Sequence, residues 1–185
     1  MASALSLSNL SFEACAIDRV AGSGRFDCIW SLSVIEHIAG AYDDRAAVAM
    51  LYSLLAPGGR LILTIPVDRE YWLEYRDRDD YGTQPITEDG RVFFQRNYDD
   101  SAIDERLISV VGQNPSVLRW FGETRSGTFA KHEERCNAQG LRCSVLDPKE
   151  IVDNWCEYES WEDMPGWGVC GIVIDKPTSP SSPEY

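Results

Sequence analysis

The sequence predicts an α/β fold: a Rossmann-like, mostly parallel sheet with flanking helices, incomplete at its N-terminus. Two apolar runs, Phe26–Ser31 and Arg60–Ile65, have the near-continuous hydrophobicity of strands that are buried on both faces. Between them, apolar residues recur at helical spacing. A strand, a crossover helix and a second strand form a parallel βαβ unit, which is right-handed by the usual rule. Only residues 1–25 precede this unit, less chain than a nucleotide-binding α/β domain normally has there.

The crossover helix has clear start and stop signals. Asp43 and Asp44 suit a helix N-terminus, where carboxylates meet the positive end of the helix dipole. Pro57-Gly58-Gly59 suits the stop, because glycine adopts the left-handed cap and proline cannot continue the helix. The predicted buried stripe of this helix consists of Ala46, Ala47, Met50, Leu51, Leu54 and Leu55.

The remaining elements follow from shorter patterns. Asp68–Gly90 is polar and aromatic and follows a strand end, where open α/β sheets place their ligand loops. We expect residues 1–176 to form a single domain and residues 177–185, rich in Pro and Ser, to form a disordered tail. The other predicted strands are Leu10–Ile17, Val117–Phe121 and Gly168–Asp175, and the other predicted helices are Ser101–Val111, after Asp99-Asp100, and Phe129–Gln139.

Composition excludes several classes of function. The chain has 185 residues and a net charge of −13, which argues against nucleic acid as a partner because phosphate binding requires Lys and Arg. Its six cysteines lack the spacing of a zinc site, and we expect Cys28 and Cys170, within apolar runs, to be small core residues. The chain lacks a signal-peptide pattern and any apolar run near the roughly 20 residues of a membrane span. We therefore expect a cytoplasmic protein without a membrane partner.

Four segments carry a family resemblance. FDCIWSLSVIEHI (Phe26–Ile38) and LLAPGGRLILTIP (Leu54–Pro66) resemble the fourth-strand and fifth-strand motifs of class I S-adenosylmethionine (SAM)-dependent methyltransferases, closest to the type-11 branch. FFQRNYDDSAIDERLI (Phe93–Ile108) and PGWGVCGIVIDK (Pro165–Lys176) resemble the back half of such enzymes. The resemblance covers roughly residues 10–176. It implies SAM as the cofactor and a small molecule as the methyl acceptor.

One family feature is missing. These enzymes bind SAM through a glycine-rich turn after their first strand, and Gly22-Ser23-Gly24 does not match it because no strand and helix separate it from the fourth-strand motif. We therefore expect the affinity of this chain for SAM to be weak or absent. In the family the first strand lies beside the fourth. The resemblance thus implies an unpaired, apolar edge at Phe26–Ser31, open to a partner chain or a second copy.

The resemblance also suggests cofactor-binding residues. It implies that Ser31, Leu32 and Ser33, at the tip of the Phe26 strand, back the methionine part of SAM and face the methyl acceptor. Asp18 is a candidate ligand of the adenine amino group. Alternatively, Asp18 is a solvated loop carboxylate and Ala16 fills that place.

Glu36 and His37 suggest two further roles. Some relatives hold a divalent metal with an ExxEH pattern, but Ser33 replaces the first glutamate here and the chain has only two histidines. We therefore predict no metal site. His37 is a candidate catalytic base, since the ordinary pKa of histidine is near neutrality. The alternative is that both residues anchor the loop through hydrogen bonds.

Tyr71 and Trp72 are candidate substrate-binding residues, because aromatic side chains on loops often line small-molecule pockets. Tyr75 belongs to the same group. Packing of these rings beneath a long loop is the alternative interpretation.

These observations support two main hypotheses. The first is a SAM-dependent methyltransferase-like domain that methylates a small molecule when complete. The second is a non-catalytic fragment or interaction module that has lost SAM binding. A nucleotide-binding enzyme of another class, such as a dehydrogenase, is a third, and the missing glycine fingerprint counts equally against it.

Overall fold

The structure, a computed structural model, describes residues 9–79, 82, 84–140 and 148–178. Within these residues, seven strands form a five-stranded sheet in the order β1-β2-β7-β5-β6 and a separate β3–β4 hairpin. The strands are β1 (Phe26–Leu32), β2 (Leu55–Val67), β3 (Trp72–Arg76), β4 (Val92–Asn97), β5 (Val117–Glu123), β6 (Trp155–Tyr158) and β7 (Gly168–Asp175).

Two helices begin at the aspartates that the sequence marks. The Asp43 side chain accepts a hydrogen bond from the Ala46 amide (3.1 Å), and Asp99 accepts one from the Ala102 amide (2.8 Å). Each carboxylate caps an amide that has no partner within its helix. The helices are α1 (Asp44–Leu54), α2 (Asp100–Ile103, continued by a π-helical turn Asp104–Ile108), α3 (Thr128–Ala138) and α4 (Pro148–Asn154), with 3₁₀ turns at Ile17–Arg19, Ile35–His37 and Trp161–Asp163.

The central βαβ unit is confirmed. β1 and β2 are parallel, with Ile29 opposite Leu61 and Ser31 opposite Leu63, and α1 connects them. α1 ends at Leu54, before the predicted stop, and Gly58 adopts the left-handed conformation with φ of 79°. The prediction that this glycine caps the helix is wrong, because Leu55 follows the helix in extended conformation and Gly58 lies within β2.

The prediction of a mostly parallel sheet is wrong. β1–β2 is a parallel pair, whereas β2–β7, β7–β5 and β5–β6 are antiparallel. β1, β2 and β5 run in the same direction, but β7 runs the opposite way and lies between β2 and β5. The sequence indicates the direction of a strand through the crossover that precedes it. It does not indicate which distant strands pair, so the position of β7 between β2 and β5 was not predicted.

The two faces of the sheet differ. On the covered face, Leu61, Leu63 and Ile65 of β2 are buried in one hydrophobic core with residues of α1 and α2. On the open face, Trp30 and Leu32 of β1 are exposed. Register places the other open-face residues beside them, namely Arg60, Ile62 and Thr64 of β2, Val169, Gly171 and Val173 of β7, and Val117, Arg119 and Phe121 of β5.

The open face corrects two expectations. Phe26–Ser31 is not buried on both faces, because β1 is the last strand of the described sheet and five of its seven residues are exposed. Cys28 is exposed for the same reason, whereas Cys170, on the covered face, is fully buried as predicted.

Two loop assignments also change. Leu10–Ile17 is not a strand: residues 10–16 have no regular structure and lie exposed, since no sheet edge pairs with them. Asp68–Gly90 contains β3, which pairs with β4 in antiparallel fashion, Trp72 opposite Asn97. The mixture of charges and aromatics in Trp72–Arg76 hid the alternation expected of a strand.

The other predicted elements match in type. The predicted strands Val117–Phe121 and Gly168–Asp175 correspond to β5 and β7, and the predicted helices correspond to α2 and α3. Most of the predicted tail, residues 179–185, lies outside the described residues. Within the described part of the chain, none of the helices has the length and apolar character needed to span a membrane.

Candidate functional site

The carboxyl ends of β1 and β2 meet at one edge of the sheet, because the two strands are parallel. The first end is the strand tip Ser31–Ser33, where Ser31 is buried and Leu32 and Ser33 are exposed. Ser33 has a φ of 51°, an uncommon conformation for a residue other than glycine. Its amide donates to both the Thr64 carbonyl (3.0 Å) and the Thr64 hydroxyl (3.1 Å). β2 thus fixes the shape of the tip.

The Ile35–His37 turn follows the tip and is anchored to the β3–β4 hairpin. His37 Nδ1 lies 2.6 Å from the Phe94 carbonyl oxygen, so it donates to this acceptor. Gln84 Nε2 donates to the His37 carbonyl (2.9 Å), and an Arg96 guanidinium nitrogen donates to the Ile38 carbonyl (2.6 Å). Burial lowers the pKa of His37, although the hydrogen bond to Phe94 opposes this shift. The ring is therefore neutral at physiological pH.

Glu36 is a buried carboxyl group beside this histidine. Its side chain is 1% exposed, and Oε1 lies 3.8 Å from His37 Nε2. Oε2 has no hydrogen-bond partner among the described residues. Burial raises the pKa of Glu36 to about 7, because a charged carboxylate is poorly stabilised away from water. The group can hold or release a proton near neutral pH.

A buried ionic cluster connects α1, β4 and α2 behind the turn. Asp44, which is fully buried, accepts from the Tyr98 hydroxyl (2.9 Å) and from Arg106 Nε (2.8 Å). Arg96 Nε lies 3.3 Å from the same carboxylate. Since Arg96 also donates to Ile38, the cluster fixes the position of the turn relative to the helix.

The end of β2 carries the candidate acceptor-binding residues. Trp72 Nε1 donates to the Asp68 carboxylate (2.9 Å), and Trp161 Nε1 donates to the Asp68 carbonyl (3.1 Å). The Tyr71 ring lies 6.1 Å from the Tyr98 ring. Both Tyr71 and Trp72 keep more than a third of their surface exposed. They can therefore contact a ligand at this edge of the sheet.

Asp18 also lies near this edge. Burial raises the pKa of the Tyr42 phenol, and the charge of Asp18 adds to this shift. Tyr42 precedes Asp43, the residue that caps α1. Asp18 itself is exposed. The glycines lie elsewhere: the Gly24 amide donates to the Ser53 carbonyl (3.2 Å) near the end of α1, at the opposite end of β1 from the tip. Gly22 and Gly24 therefore do not form a cradle at the strand tip.

Sequence reasoning missed several residues that position the site. Arg96 and Asp44 were not singled out as positioning residues, although Arg96 lies within the quoted Phe93–Ile108 motif and Asp44 was assigned to the helix start. A pairing between residues more than fifty positions apart leaves no local signal. Among the described residues, no group of three His, Cys, Asp or Glu side chains is arranged to hold a metal ion.

Comparison with solved structures identifies the class of protein that shares this fold. The chain matches class I SAM-dependent methyltransferases over most of its length, which confirms the resemblance at the level of fold. No protein-family model and no curated protein sequence matches the chain.

Three of these structures show the range of the match. The Burkholderia thailandensis 1,6-didemethyltoxoflavin-N1-methyltransferase, solved with S-adenosylhomocysteine, is 15% identical with a TM-score of 0.50, over 90% of this chain and 50% of its own. The cyclase SpnF is 17% identical (TM-score 0.50; 96% of this chain, 60% of its own). A Bacillus halodurans C-125 protein described as a possible methyltransferase is 12% identical (TM-score 0.52; 95% and 75%). The chain thus spans between half and three quarters of their lengths.

Proposed function

We propose that the chain provides the acceptor-facing side of a SAM-dependent methyltransferase site that acts on a small molecule. The observation that carries this proposal is the shared edge, where the tip Ser31–Ser33 and the aromatic pair Tyr71 and Trp72 follow the ends of two adjacent parallel strands. Ligands of open α/β sheets bind outside the carboxyl ends of the strands. A methyltransferase of the same fold was solved with S-adenosylhomocysteine, which supports the choice of cofactor.

The described residues fit only one side of SAM. The tip offers an exposed hydroxyl and an exposed leucine, and Asp18 is available for the adenine side. The described glycines do not form the cradle that would hold the rest of the cofactor. When bound, SAM supplies an activated methyl group, and the protein's contribution is mainly to align the acceptor with it. The affinity we expect is accordingly weak.

The role of His37 as a base stays a prediction. Its Nδ1 is engaged with the Phe94 carbonyl, and its Nε2 faces the Glu36 carboxyl group at 3.8 Å. This geometry favours the alternative role, in which His37 anchors the turn. A cytoplasmic location likewise stays a prediction.

An NMR titration of the labelled protein tests the proposed site. We expect SAM at millimolar concentration to shift the amide signals of Ser31, Leu32 and Ser33, and NAD⁺ at the same concentration to leave them unchanged. Ser33→Trp should abolish the shifts by filling the tip. Ser53→Trp, at an exposed position of α1, is the matched control and should preserve them.

Two outcomes would contradict the proposal. If SAM shifts none of the amide signals at the tip, the tip is not a cofactor site. If NAD⁺ shifts them equally, a different class of nucleotide-binding enzyme is favoured.

A second candidate function is a non-catalytic interaction module. The observation that favours it is the exposed, apolar β1, the last strand of the described sheet. The fold alone does not decide between the two, because a fold does not by itself imply a function. If the NMR titration shows no SAM binding while the protein still associates through β1, the module is the better description.

A further inference from the structure

The outer edge of β1 combines unpaired backbone with exposed apolar side chains. The open edge consists of Cys28, Trp30 and Leu32, which alternate along the open face of β1, and of the exposed Phe26, which precedes a shift in the β1–β2 register. Trp30 is 73% exposed, Leu32 51% and Phe26 37%. Among the described residues no strand pairs with this side of β1. An exposed apolar edge strand is a template for pairing with another chain.

The opposite edge of the sheet, formed by β6, is better protected against pairing with another chain. β6 has only four residues, Trp155–Tyr158, and its Glu157 pairs with Arg119 (2.6 Å). Short edge strands and charged side chains are the usual means of preventing edge-to-edge pairing. β1 has seven residues, and Asp27 is its only charged residue. The two edges therefore differ in both length and charge.

The sequence of β1 is complementary to itself in the antiparallel direction. Pairing centred on Ile29 places Phe26 opposite Leu32, Asp27 opposite Ser31, and the small Cys28 opposite the large Trp30. No like charges face one another, and each aromatic ring meets an aliphatic or small partner. A two-fold axis through Ile29 thus gives the self-complementary contact that closed dimers use.

We propose that β1 pairs with β1 of a second copy, antiparallel about a two-fold axis at Ile29, so that one sheet continues through both copies. The occupant of the open edge is therefore this chain itself. The proposal uses the backbone edge and the open face rather than the strand tip, so the NMR titration with SAM and the test of association can fail separately.

The exposed area predicts a weak dimer. Trp30, Leu32 and Phe26 together expose roughly 350 Å² if each large side chain carries about 150–250 Å². Specific stable interfaces bury about 800 Å² per partner. Each copy also carries a net charge of −13, so the copies repel one another at low ionic strength. We expect association to strengthen as salt is added.

Sedimentation velocity across a concentration series tests this inference. We expect the wild type to shift from monomer to dimer between low micromolar and millimolar protein, at lower concentration in high salt. Trp30→Lys should remain monomeric with an unchanged circular dichroism spectrum. Val152→Lys is the matched control, because it introduces the same charge at an apolar residue of α4 that is 78% exposed. This variant should dimerise like the wild type.

Hydrogen exchange gives a readout that does not depend on a variant. The β1 amides that point away from β2 should become more protected as the wild-type concentration rises, while those of residues 155–158 should not change. A wild type that stays monomeric throughout, a Trp30→Lys variant that dimerises normally, or protection that does not depend on concentration would overturn the proposal. A monomer that gains protection only when a different protein is added would also overturn it and would assign the edge to that partner.

Discussion

The two faces of the sheet use the same strands in opposite ways. On the covered face, Leu61, Leu63 and Ile65 join a core that is sealed by α1 and α2 and bordered by the buried Asp44 cluster. On the open face, Ile62 and Thr64 of the same strand are only partly buried. The apolar run of β2 therefore does not predict whether one face or both faces of the sheet are covered by other elements. We expect residues of the covered face to contribute most of the folding stability and residues of the open face to contribute to association.

The largest effect should come from the buried ionic cluster beside the covered face. Asp44→Ala removes the acceptor shared by Tyr98, Arg96 and Arg106, leaving their polar groups buried without this partner. Loss of one member of a buried ion pair costs about 3–5 kcal/mol. We expect the free energy of unfolding, measured by urea denaturation, to fall by that amount.

Asp43→Ala is the matched control at the preceding position. It removes a helix cap, which costs about 1 kcal/mol, and a partly exposed contact with Arg106 (3.1 Å), while it leaves Asp44 in the cluster. Similar losses for the two variants would show that the cluster contributes no more than the cap does, and the contrast between the faces would weaken.

The second prediction concerns the pH dependence of folding stability, which the buried Glu36 should determine. Because burial raises the pKa of Glu36 from 4.5 to about 7, the folded state retains a proton that the unfolded state releases between these values. Stability should therefore fall as pH rises through this window. Glu36→Gln cannot ionise, so above the window it should be more stable than the wild type by about 3 kcal/mol, with little difference below it.

Urea denaturation at a series of pH values measures this effect. Glu105→Gln removes a carboxylate at an exposed position of α2 and should follow the wild-type curve. Parallel curves for wild type and Glu36→Gln would mean that Glu36 is not buried in solution.

The smallest expected effect is the difference in stability loss between substitutions on the two faces of the sheet. Leu63→Ala creates a cavity on the covered face and should cost about 3 kcal/mol. Val173→Ala, on the open face, should cost about 1 kcal/mol, because part of this side chain is already in water. Denaturant titration of dilute protein measures both. Equal losses would indicate that the open face is covered in dilute solution, by this chain or by a partner.

Local patterns predicted the elements that local interactions determine. Asp43 and Asp99 were recognised as helix starts because a capping carboxylate acts on amides two or three residues away. The β3 strand was missed, since Trp72–Arg76 alternates poorly and depends on pairing with β4. The Ile35–His37 turn was not predicted as a separate element, and its anchors Arg96 and Gln84 come from distant segments.

The candidate site divides in the same way. The family resemblance singled out Ser31–Ser33, and the position of aromatic side chains on a loop singled out Tyr71 and Trp72. The structure places both groups at one edge of the sheet. Their roles in binding stay predictions. The buried position of Glu36 and the cluster around Asp44 became visible only in three dimensions, since burial depends on the packing of the whole chain.

The sequence by itself determined the βαβ unit and the start of its helix, because hydrophobic periodicity and capping act over a few residues, and its motifs indicated the resemblance to methyltransferases. Only the tertiary structure decided the strand order, the antiparallel insertion of β7 and the exposure of β1. These features depend on which distant strands pair and on how much of each face the available helices can cover. That exposure, rather than any motif, is the basis for the proposed self-association.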